Sequence, residues 1–194
     1  MVEITAPRVE GTVTVASGRH YGFAEFGPAH GRPIVWMHGT PGARRQIPES
    51  ARLAAAELGL RIVGIDRAGV GASSAYLHAG LLEASAEIGE VAEQLGLDRF
   101  AMIGLSGGGP YVLASCYLFP DRVAVGGILG GMAPISGPDR AEGGVMNRMS
   151  GFAPLVARLR MPLSIALTAG LWTLRPVASQ AFDLYARLYD DGDR

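Results

Sequence analysis

Lysine is absent from this sequence, and cysteine occurs once, at Cys116. A single cysteine excludes an intrachain disulfide, and we interpret it as a small buried helix residue. The net charge of −1 gives no electrostatic reason to expect nucleic acid or an anionic membrane as a partner. Residues 1–10 lack the apolar core of a signal peptide, and residues 161–174 are shorter than the roughly 20 apolar residues of a membrane span. We therefore expect a cytoplasmic protein.

Apolar segments typical of buried strands alternate with segments of helical spacing along the first two thirds of the chain. We predict strands over residues 11–17, 19–27, 32–39, 61–66, 100–105 and 123–131. We predict helices over residues 48–60, 80–97 and 108–120. The second helix is amphipathic, with its acidic residues facing outward. The first two strands are expected to form a hairpin, and the remainder predicts an α/β fold with a mostly parallel sheet between flanking helices.

The pattern changes near residue 132, where a loop rich in proline and glycine begins. Beyond it we predict only helices, over residues 145–160, 161–174 and 176–191. This change predicts a sheet-containing core over residues 1–131 and a helical cap over residues 132–194.

Ser106 lies in the pentapeptide Gly104-Leu105-Ser106-Gly107-Gly108, directly after a predicted strand and before a predicted helix. Such a pentapeptide also occurs in plain glycine-rich turns and in phosphate-binding loops. The strand–turn–helix setting favours a sharp turn that presents the serine hydroxyl at the carboxyl edge of the sheet. Ser106 is therefore the candidate nucleophile, and it needs a base.

The segment HGTPG, residues 38–42, follows another predicted strand. Acyl transfer requires backbone N–H groups that stabilise a developing oxyanion. We predict the amides of Thr40 and Gly107 as these donors. His38, Gly39 and Pro41 are predicted to support the loop, with His38 pointing into it in preference to acting as a base.

A third motif, GIDRAGVGASS, covers residues 64–74. We expect Asp66 to bind loop amides in a structural turn; the alternative is a catalytic acid. In their order and spacing, HGTPG, DRAGVGAS and GLSGGG resemble the oxyanion loop, the D-R-x-G-x-G-x-S turn and the nucleophile elbow of the α/β-hydrolase fold family.

This resemblance implies a capped α/β-hydrolase fold, a serine nucleophile and an acyl-enzyme intermediate. It suggests esterase-like, lipase-like or peptidase-like chemistry, or hydrolysis of a carbon–carbon bond. The dehalogenases and epoxide hydrolases of this fold use aspartate at the elbow, so Ser106 argues against both. No cofactor is implied, and His and Cys do not cluster with the spacing of metal ligands.

The family places an acid and then a histidine after the serine, yet all four histidines of this chain precede Ser106. Three explanations are open. The chain is the N-terminal part of a longer hydrolase, completed by a missing C-terminal segment or by a second chain. Alternatively, it is a catalytically inactive binding or interaction protein. Lastly, a local residue replaces the missing groups, with His78 and Asp139 as candidates.

The predicted strand over residues 123–131 is apolar throughout, as an interior parallel strand would be, which favours the first explanation. On that explanation the isolated chain should be nearly inert.

The predicted cap is rich in large apolar side chains, which favour an ester, amide or ketone with a sizeable apolar part as the substrate. Most of these residues are expected to pack the cap, and some to line the pocket: Phe152, Leu155, Leu159, Met161, Leu163, Ile165, Leu167, Leu171, Trp172, Phe182 and Tyr185. Arg158, Arg160 and Arg175 are expected either to be solvated or to hold a substrate carboxylate.

Overall fold

A computed structural model describes residues 4–134, 137–141, 155, 158–177 and 180. The chain divides into two compact units, Met1–Ala133 and Pro134–Arg194.

The first unit contains a six-stranded sheet with helices on both faces. Its strands are β1 (Val9–Thr14), β2 (His20–Phe26), β3 (Arg32–Met37), β4 (Leu60–Ile65), β5 (Phe100–Leu105) and β6 (Val123–Leu129). Its helices are α1 (Glu49–Glu57), α2 (Leu81–Gln94) and α3 (Gly109–Leu118), and a 3₁₀ turn over Ser106–Gly108 joins β5 to α3.

The strand order in the sheet is β1-β2-β4-β3-β5-β6. β2 pairs antiparallel with both β1 and β4, whereas β4, β3, β5 and β6 run parallel. Both the predicted hairpin and the predicted mostly parallel sheet are therefore confirmed.

The strand register determines where the three motifs meet. Met37 at the end of β3 lies opposite Ile65 on one side and Gly104 on the other. The loops that follow β3, β4 and β5 therefore begin at one edge of the sheet. This is the carboxyl edge, where open parallel sheets bind their ligands.

The core has one apolar cluster on each face of the sheet. The larger cluster packs α2 and α3 against side chains such as Met37, Ile65 and Met102. The smaller cluster packs α1 against Phe26, Trp36 and neighbours. Each face thus buries an apolar helix side, which is the main stabilising contribution in such layers.

One part of the α2 prediction is wrong. The spacing of its acidic residues predicts that all of them face outward, but Glu87 is only 5% exposed. It is tolerated there because Arg19, from the turn between β1 and β2, forms a salt bridge with its carboxylate, and buried charges in proteins are paired.

β6 lies at one edge of the described sheet, and its side chains Val125, Ile128 and Leu129 are exposed. The sequence predicts an interior strand here because the segment is apolar throughout. The half-exposed Cys116 lies beside this strand, where a Cβ on Gly126 would come within 2.9 Å of its Sγ.

In the second unit, the described residues form helix α4 (Arg160–Leu174) and a 3₁₀ turn (Arg175–Val177). The predicted helix over 161–174 is confirmed. The predicted helices over 145–160 and 176–191 lie mostly outside the described residues. So do Phe152, Phe182 and Tyr185, and the side chains of Arg160, Leu167, Leu171 and Arg175.

Candidate active site

The turn after β5 holds Ser106 in an uncommon backbone conformation. Its φ is +48°, and it is the one residue other than glycine with a positive φ among the described residues. The turn is tight, because a Cβ on Gly104 would lie 2.5 Å from the Gly108 carbonyl oxygen. Such strain at a non-glycine residue is typical of functional sites. It is also the conformation expected of the serine in a strand–turn–helix nucleophile elbow.

The loop after β3 is fixed from within by Gln46. The Gln46 Oε1 accepts the Gly39 amide at 2.7 Å, and its Nε2 donates to the Pro41 carbonyl oxygen at 3.1 Å. The Thr40–Pro41 peptide bond is cis. Since Gln46 occupies the Gly39 amide, the next N–H along the loop is that of Thr40, which has no hydrogen-bond partner within the described part of the chain.

The elbow and this loop are in direct contact. A Cβ added to Gly107 would lie 2.6 Å from Thr40 Oγ1, so only glycine fits there without a shift. A Cβ added to Gly39 would lie 3.5 Å from the Ser106 Cβ. The structure therefore brings together the predicted nucleophile and both predicted oxyanion donors, Thr40 and Gly107.

Arg67, the first residue after Asp66, links the loop to the elbow. Its Nη2 donates to the Gly39 carbonyl oxygen at 2.8 Å and to Thr40 Oγ1 at 2.6 Å, and its Nη1 donates to the Gly107 carbonyl oxygen at 3.2 Å. This role of Arg67 is not predicted from the sequence. One feature of the sequence could have indicated it: Arg67 directly follows the strand predicted over residues 61–66, which ends at the carboxyl edge of the sheet.

His38 is fully buried beneath the loop. Its Nε2 accepts the Arg67 backbone N–H at 3.2 Å, so its proton is assigned to Nδ1, which donates to the Gly39 carbonyl oxygen at 2.8 Å. Burial lowers the pKa of His38 and keeps the ring neutral at pH 7. The Arg67 amide thus occupies the lone pair that a general base would use.

We call the residues joined by these contacts the Arg67 cluster: His38, Gly39, Thr40, Arg67 and Gly107.

Asp66 holds the neighbouring turn. Its carboxylate accepts the backbone amides of Arg44 and Ala72 at 2.6 and 3.0 Å, and the Arg44 guanidinium at 2.7 Å. These contacts match the structural turn that the sequence predicts. Asp66 is fully buried and paired with Arg44, so its charge is neutralised locally.

The family is decided by a comparison of the whole chain with known families. The model of the alpha/beta hydrolase fold matches residues 32–169, which include all three motifs. This chain belongs to the α/β-hydrolase fold family.

The sequence is also similar to that of a curated hydrolytic enzyme. The proline iminopeptidase of Neisseria gonorrhoeae is 33% identical over 126 residues, which cover 63% of this chain and 40% of that protein. The chain therefore spans less than half the length of the curated relatives that it matches.

Solved structures also match this chain. Cfl2 from Burkholderia cenocepacia matches with a TM-score of 0.64 and 23% identity, covering 85% of this chain and 56% of that one. An epoxide hydrolase from an endophytic Streptomyces matches with a TM-score of 0.53 and 26% identity, covering 62% and 36%.

His78 belongs to a different part of this α/β-hydrolase. Its Nε2 lies 3.1 Å from Glu87 Oε2 and 3.4 Å from the Tyr21 hydroxyl. Within the described ranges, it has no hydrogen bond to Ser106. Asp139, the other candidate substitute, is an exposed residue of the second unit.

The residues that surround the Glu87 carboxylate form a second network, which we call the Glu87 cluster: Ser17, Arg19, Tyr21, His78 and Glu87. Tyr21 donates to the carboxylate at 2.5 Å and Ser17 at 2.9 Å, and Arg19 forms a salt bridge with it. Burial alone would raise the pKa of Glu87, but hydrogen bonds from Arg19, Tyr21, His78 and Ser17 outweigh it and lower the pKa to about 2.

The described residues form neither a metal-ligand cluster nor a membrane-spanning helix. No group of three or more His, Cys, Asp or Glu side chains in them is arranged to hold a metal ion. No helix in the same part of the chain is long and apolar enough to cross a membrane.

Proposed function

We propose that this chain carries the nucleophile and the oxyanion hole of a serine hydrolase. Its substrate is an ester, an amide or a ketone whose carbon–carbon bond is hydrolysed. The observation that carries the proposal is Ser106 at φ +48°, next to Gly107 and Thr40. A serine in this conformation, beside a loop with an unbound amide, fits acyl transfer better than it fits a plain turn.

In the proposed reaction, Ser106 Oγ loses its proton to a base and attacks the substrate carbonyl carbon. The carbonyl oxygen becomes an oxyanion, and the amides of Thr40 and Gly107 donate to it. The bond to the leaving group then breaks, the leaving group takes the proton, and an acyl-Ser106 ester remains. Water attacks this ester by the same steps and releases the acid. One oxyanion donor typically contributes about 10²–10³-fold to such a rate.

The base and its acid are proposed to lie outside these 194 residues. The four histidines precede Ser106, the lone pair of His38 is occupied, and His78 contacts Glu87. A C-terminal segment or a second chain that adds strands beyond β6 would supply both groups. The exposed apolar side chains of β6 support this arrangement, because an unpaired apolar edge is a liability by itself.

The substrate is proposed to be a small molecule with a sizeable apolar part. The sequence favours this, because the cap predicted over residues 132–194 is rich in large apolar side chains and substrate pockets are predominantly apolar. The matched relative named a proline iminopeptidase is compatible with an amide substrate. Serine at the elbow argues against an epoxide, since the resemblance assigns aspartate to that chemistry.

The decisive experiment is labelling with a fluorophosphonate, read by intact mass, on protein from its native source. We expect a mass well above 20.3 kDa with one adduct on Ser106. Ser106→Ala should abolish the adduct, and Ser50→Ala, at an exposed serine of α1, should keep it. The recombinant 194-residue chain should label and hydrolyse p-nitrophenyl esters at most slowly.

The alternative function is that of a non-catalytic interaction protein. The observation that favours it is the absence of a histidine after Ser106 in the sequence. A native mass near 20.3 kDa without an adduct would support this alternative and overturn the hydrolase proposal.

A further inference from the structure

Among the described residues, no carboxylate balances the charge of Arg67. Within the part of the chain that the structure describes, its guanidinium contacts only neutral acceptors and forms no salt bridge. The adjacent carboxylate, that of Asp66, is paired with Arg44. A half-buried arginine without a carboxylate partner is unusual, because buried charges are normally paired.

We propose that Arg67 is a positioning residue of the oxyanion hole, which holds and polarises the Gly39–Thr40 peptide so that the Thr40 N–H faces the substrate oxygen. This inference rests on the proposed function. It assigns to Arg67 a role that acts through the loop and involves no contact with the substrate.

The geometry of the Gly39–Thr40 peptide links Arg67 to the direction of the Thr40 N–H. The Gly39 carbonyl and the Thr40 N–H belong to one peptide unit, which is planar, and in a trans unit they point in opposite directions. Arg67 Nη2 and His38 Nδ1 both donate to that carbonyl oxygen, each at 2.8 Å. Holding the oxygen therefore sets the direction of the N–H. The second hydrogen bond of Arg67 Nη2, to Thr40 Oγ1, restrains rotation of the unit.

The positive charge of Arg67 also polarises the Gly39–Thr40 peptide. A hydrogen bond from a charged donor is roughly twice as strong as a neutral one, and hydrogen bonds in a chain polarise one another. The Arg67 guanidinium withdraws electron density from the Gly39 oxygen, so the Thr40 N–H at the other end becomes a stronger donor. The positive charge, which no carboxylate among the described residues pairs, is well placed to favour a developing negative charge nearby.

Arg67 also fixes the two proposed oxyanion donors, Thr40 and Gly107, relative to each other. Arg67 Nη1 donates to the Gly107 carbonyl oxygen at 3.2 Å, and the guanidinium lies 5.5 Å from the centre of the Tyr111 ring in α3. One rigid, planar group thus contacts the loop that contains Thr40 and the turn that contains Gly107. Its Nε is buried without a partner among the described residues, a cost that these contacts offset.

An NMR measurement on the 194-residue chain tests whether Arg67 holds and polarises the Gly39–Thr40 peptide, and it does not require the chain to be active. The sequence contains two Gly-Thr pairs, Gly11–Thr12 and Gly39–Thr40. Labelling glycine carbonyl with ¹³C and threonine with ¹⁵N therefore gives two correlation signals. In Arg67→Met we expect the Gly39–Thr40 amide proton to shift upfield, while the Gly11–Thr12 signal stays in place and reports an intact fold.

Arg67→Lys should give a smaller shift of the same sign, because one ammonium replaces only part of the fork. It also serves as the test if Arg67→Met fails to fold. Arg122→Met is the matched control: Arg122 donates to the carbonyl oxygens of Asp98 and Leu97 and lies near aromatic rings, as Arg67 does. It should leave both signals unmoved. An unchanged Gly39–Thr40 signal in both Arg67 variants would overturn the proposal.

Kinetics distinguish positioning from general support of the fold. In the preparation whose Ser106 labels, Arg67→Met should lower kcat for a p-nitrophenyl ester by about 10–100-fold and change KM by less than about threefold. Arg67→Lys should recover part of kcat, and Arg122→Met should match the parent protein. A rise in KM with kcat unchanged would contradict the role assigned to Arg67.

The two proposals fail in different ways. Absence of labelling in every preparation would reject the serine hydrolase, while the labelled-peptide signals would still report whether Arg67 holds the Gly39–Thr40 unit. Normal labelling with kcat unchanged in Arg67→Met would reject the role of Arg67 and leave the hydrolase proposal standing.

Discussion

The Arg67 cluster and the Glu87 cluster are both networks of buried polar groups, but their charges are balanced in opposite ways. In the Glu87 cluster, a buried carboxylate meets a cation, Arg19, together with neutral donors. In the Arg67 cluster, a cation donates only to a hydroxyl and to carbonyl oxygens within the described residues. Among the described residues, the charges of the Glu87 cluster are paired, and the Arg67 cluster retains an unpaired positive charge.

This difference separates stability from function. The paired charges of the Glu87 cluster hold three elements together: the β1–β2 hairpin, the loop with His78 and helix α2. The Arg67 cluster also holds elements together, but at a higher cost in folding free energy, because a desolvated charge without a counter-charge is unfavourable. A protein retains such a cost where the charge serves a ligand. We therefore expect substitutions in the Glu87 cluster to affect mainly unfolding, and those in the Arg67 cluster mainly activity.

The largest expected effect is that of Glu87→Ala on stability. Removing the carboxylate leaves the buried Tyr21 hydroxyl and the Arg19 guanidinium without their acceptor, and breaking a buried pair in this way costs about 3–5 kcal/mol. Urea unfolding followed by circular dichroism measures the change. Glu93→Ala, at an exposed position of the same helix, should cost less than about 0.5 kcal/mol. Equal losses of stability in the two variants would show that the Glu87 cluster stabilises the fold no more than an exposed glutamate does.

The next effect is that of Gly107→Ala on activity. The new Cβ would lie 2.6 Å from Thr40 Oγ1 and would push the loop from the elbow, so a fall of about 10²-fold in the rate of Ser106 labelling is expected, as for loss of one oxyanion donor. Gly126→Ala is the matched control, since its Cβ would also be too close to side chains, at 2.8 Å from Val112 and 2.9 Å from Cys116, but in contact with neither Thr40 nor the turn at Ser106. A large loss of stability in Gly107→Ala with labelling intact would reverse the comparison.

The smallest effect is a difference in pH dependence. His38 has a lowered pKa when folded, so the unfolded chain takes up its proton first, and stability from this residue is complete above about pH 6.5 and is lost as the pH falls below it. Glu87 has a pKa lowered from 4.5 to about 2, so its contribution is complete above pH 4.5 and is lost between there and about pH 2.

Urea unfolding at successive pH values tests these two ranges. His38→Gln should flatten the profile just below pH 6.5, and Glu87→Gln should flatten it below pH 4.5. Flattening of the same range by both variants would show that the two clusters titrate as one.

The strands and the elbow were predictable because their signals are local. Continuous apolar runs such as residues 100–105 correspond to β5, and glycines around Ser106 indicate the turn that follows. The proximity of Thr40 to Gly107 followed from parallel strands sharing a carboxyl edge. Helix ends were less accurate: the helix predicted over 80–97 covers Leu81–Gln94.

The partners of Arg67 and Glu87 were not predictable from the sequence. Glu87 fits an outward-facing acidic pattern, and only the position of Arg19, 68 residues away, explains its burial. Arg67 finds acceptors 28 and 40 residues away. Long side chains reach several backbone carbonyl groups equally well in principle, so the tertiary fold decides which of them is bound.

The contacts of Arg67 also have a consequence for the order of folding. Thr40, Arg67 and Gly107 follow three different strands, so their meeting is a long-range event of the kind that slows folding. A collapsed state that has its helices and strands but lacks fixed packing would contain every element of this unit and would lack the proposed oxyanion hole. On the proposed function, a reagent that reacts with Ser106 would therefore report the final packing of the sheet edge, which far-ultraviolet circular dichroism does not detect.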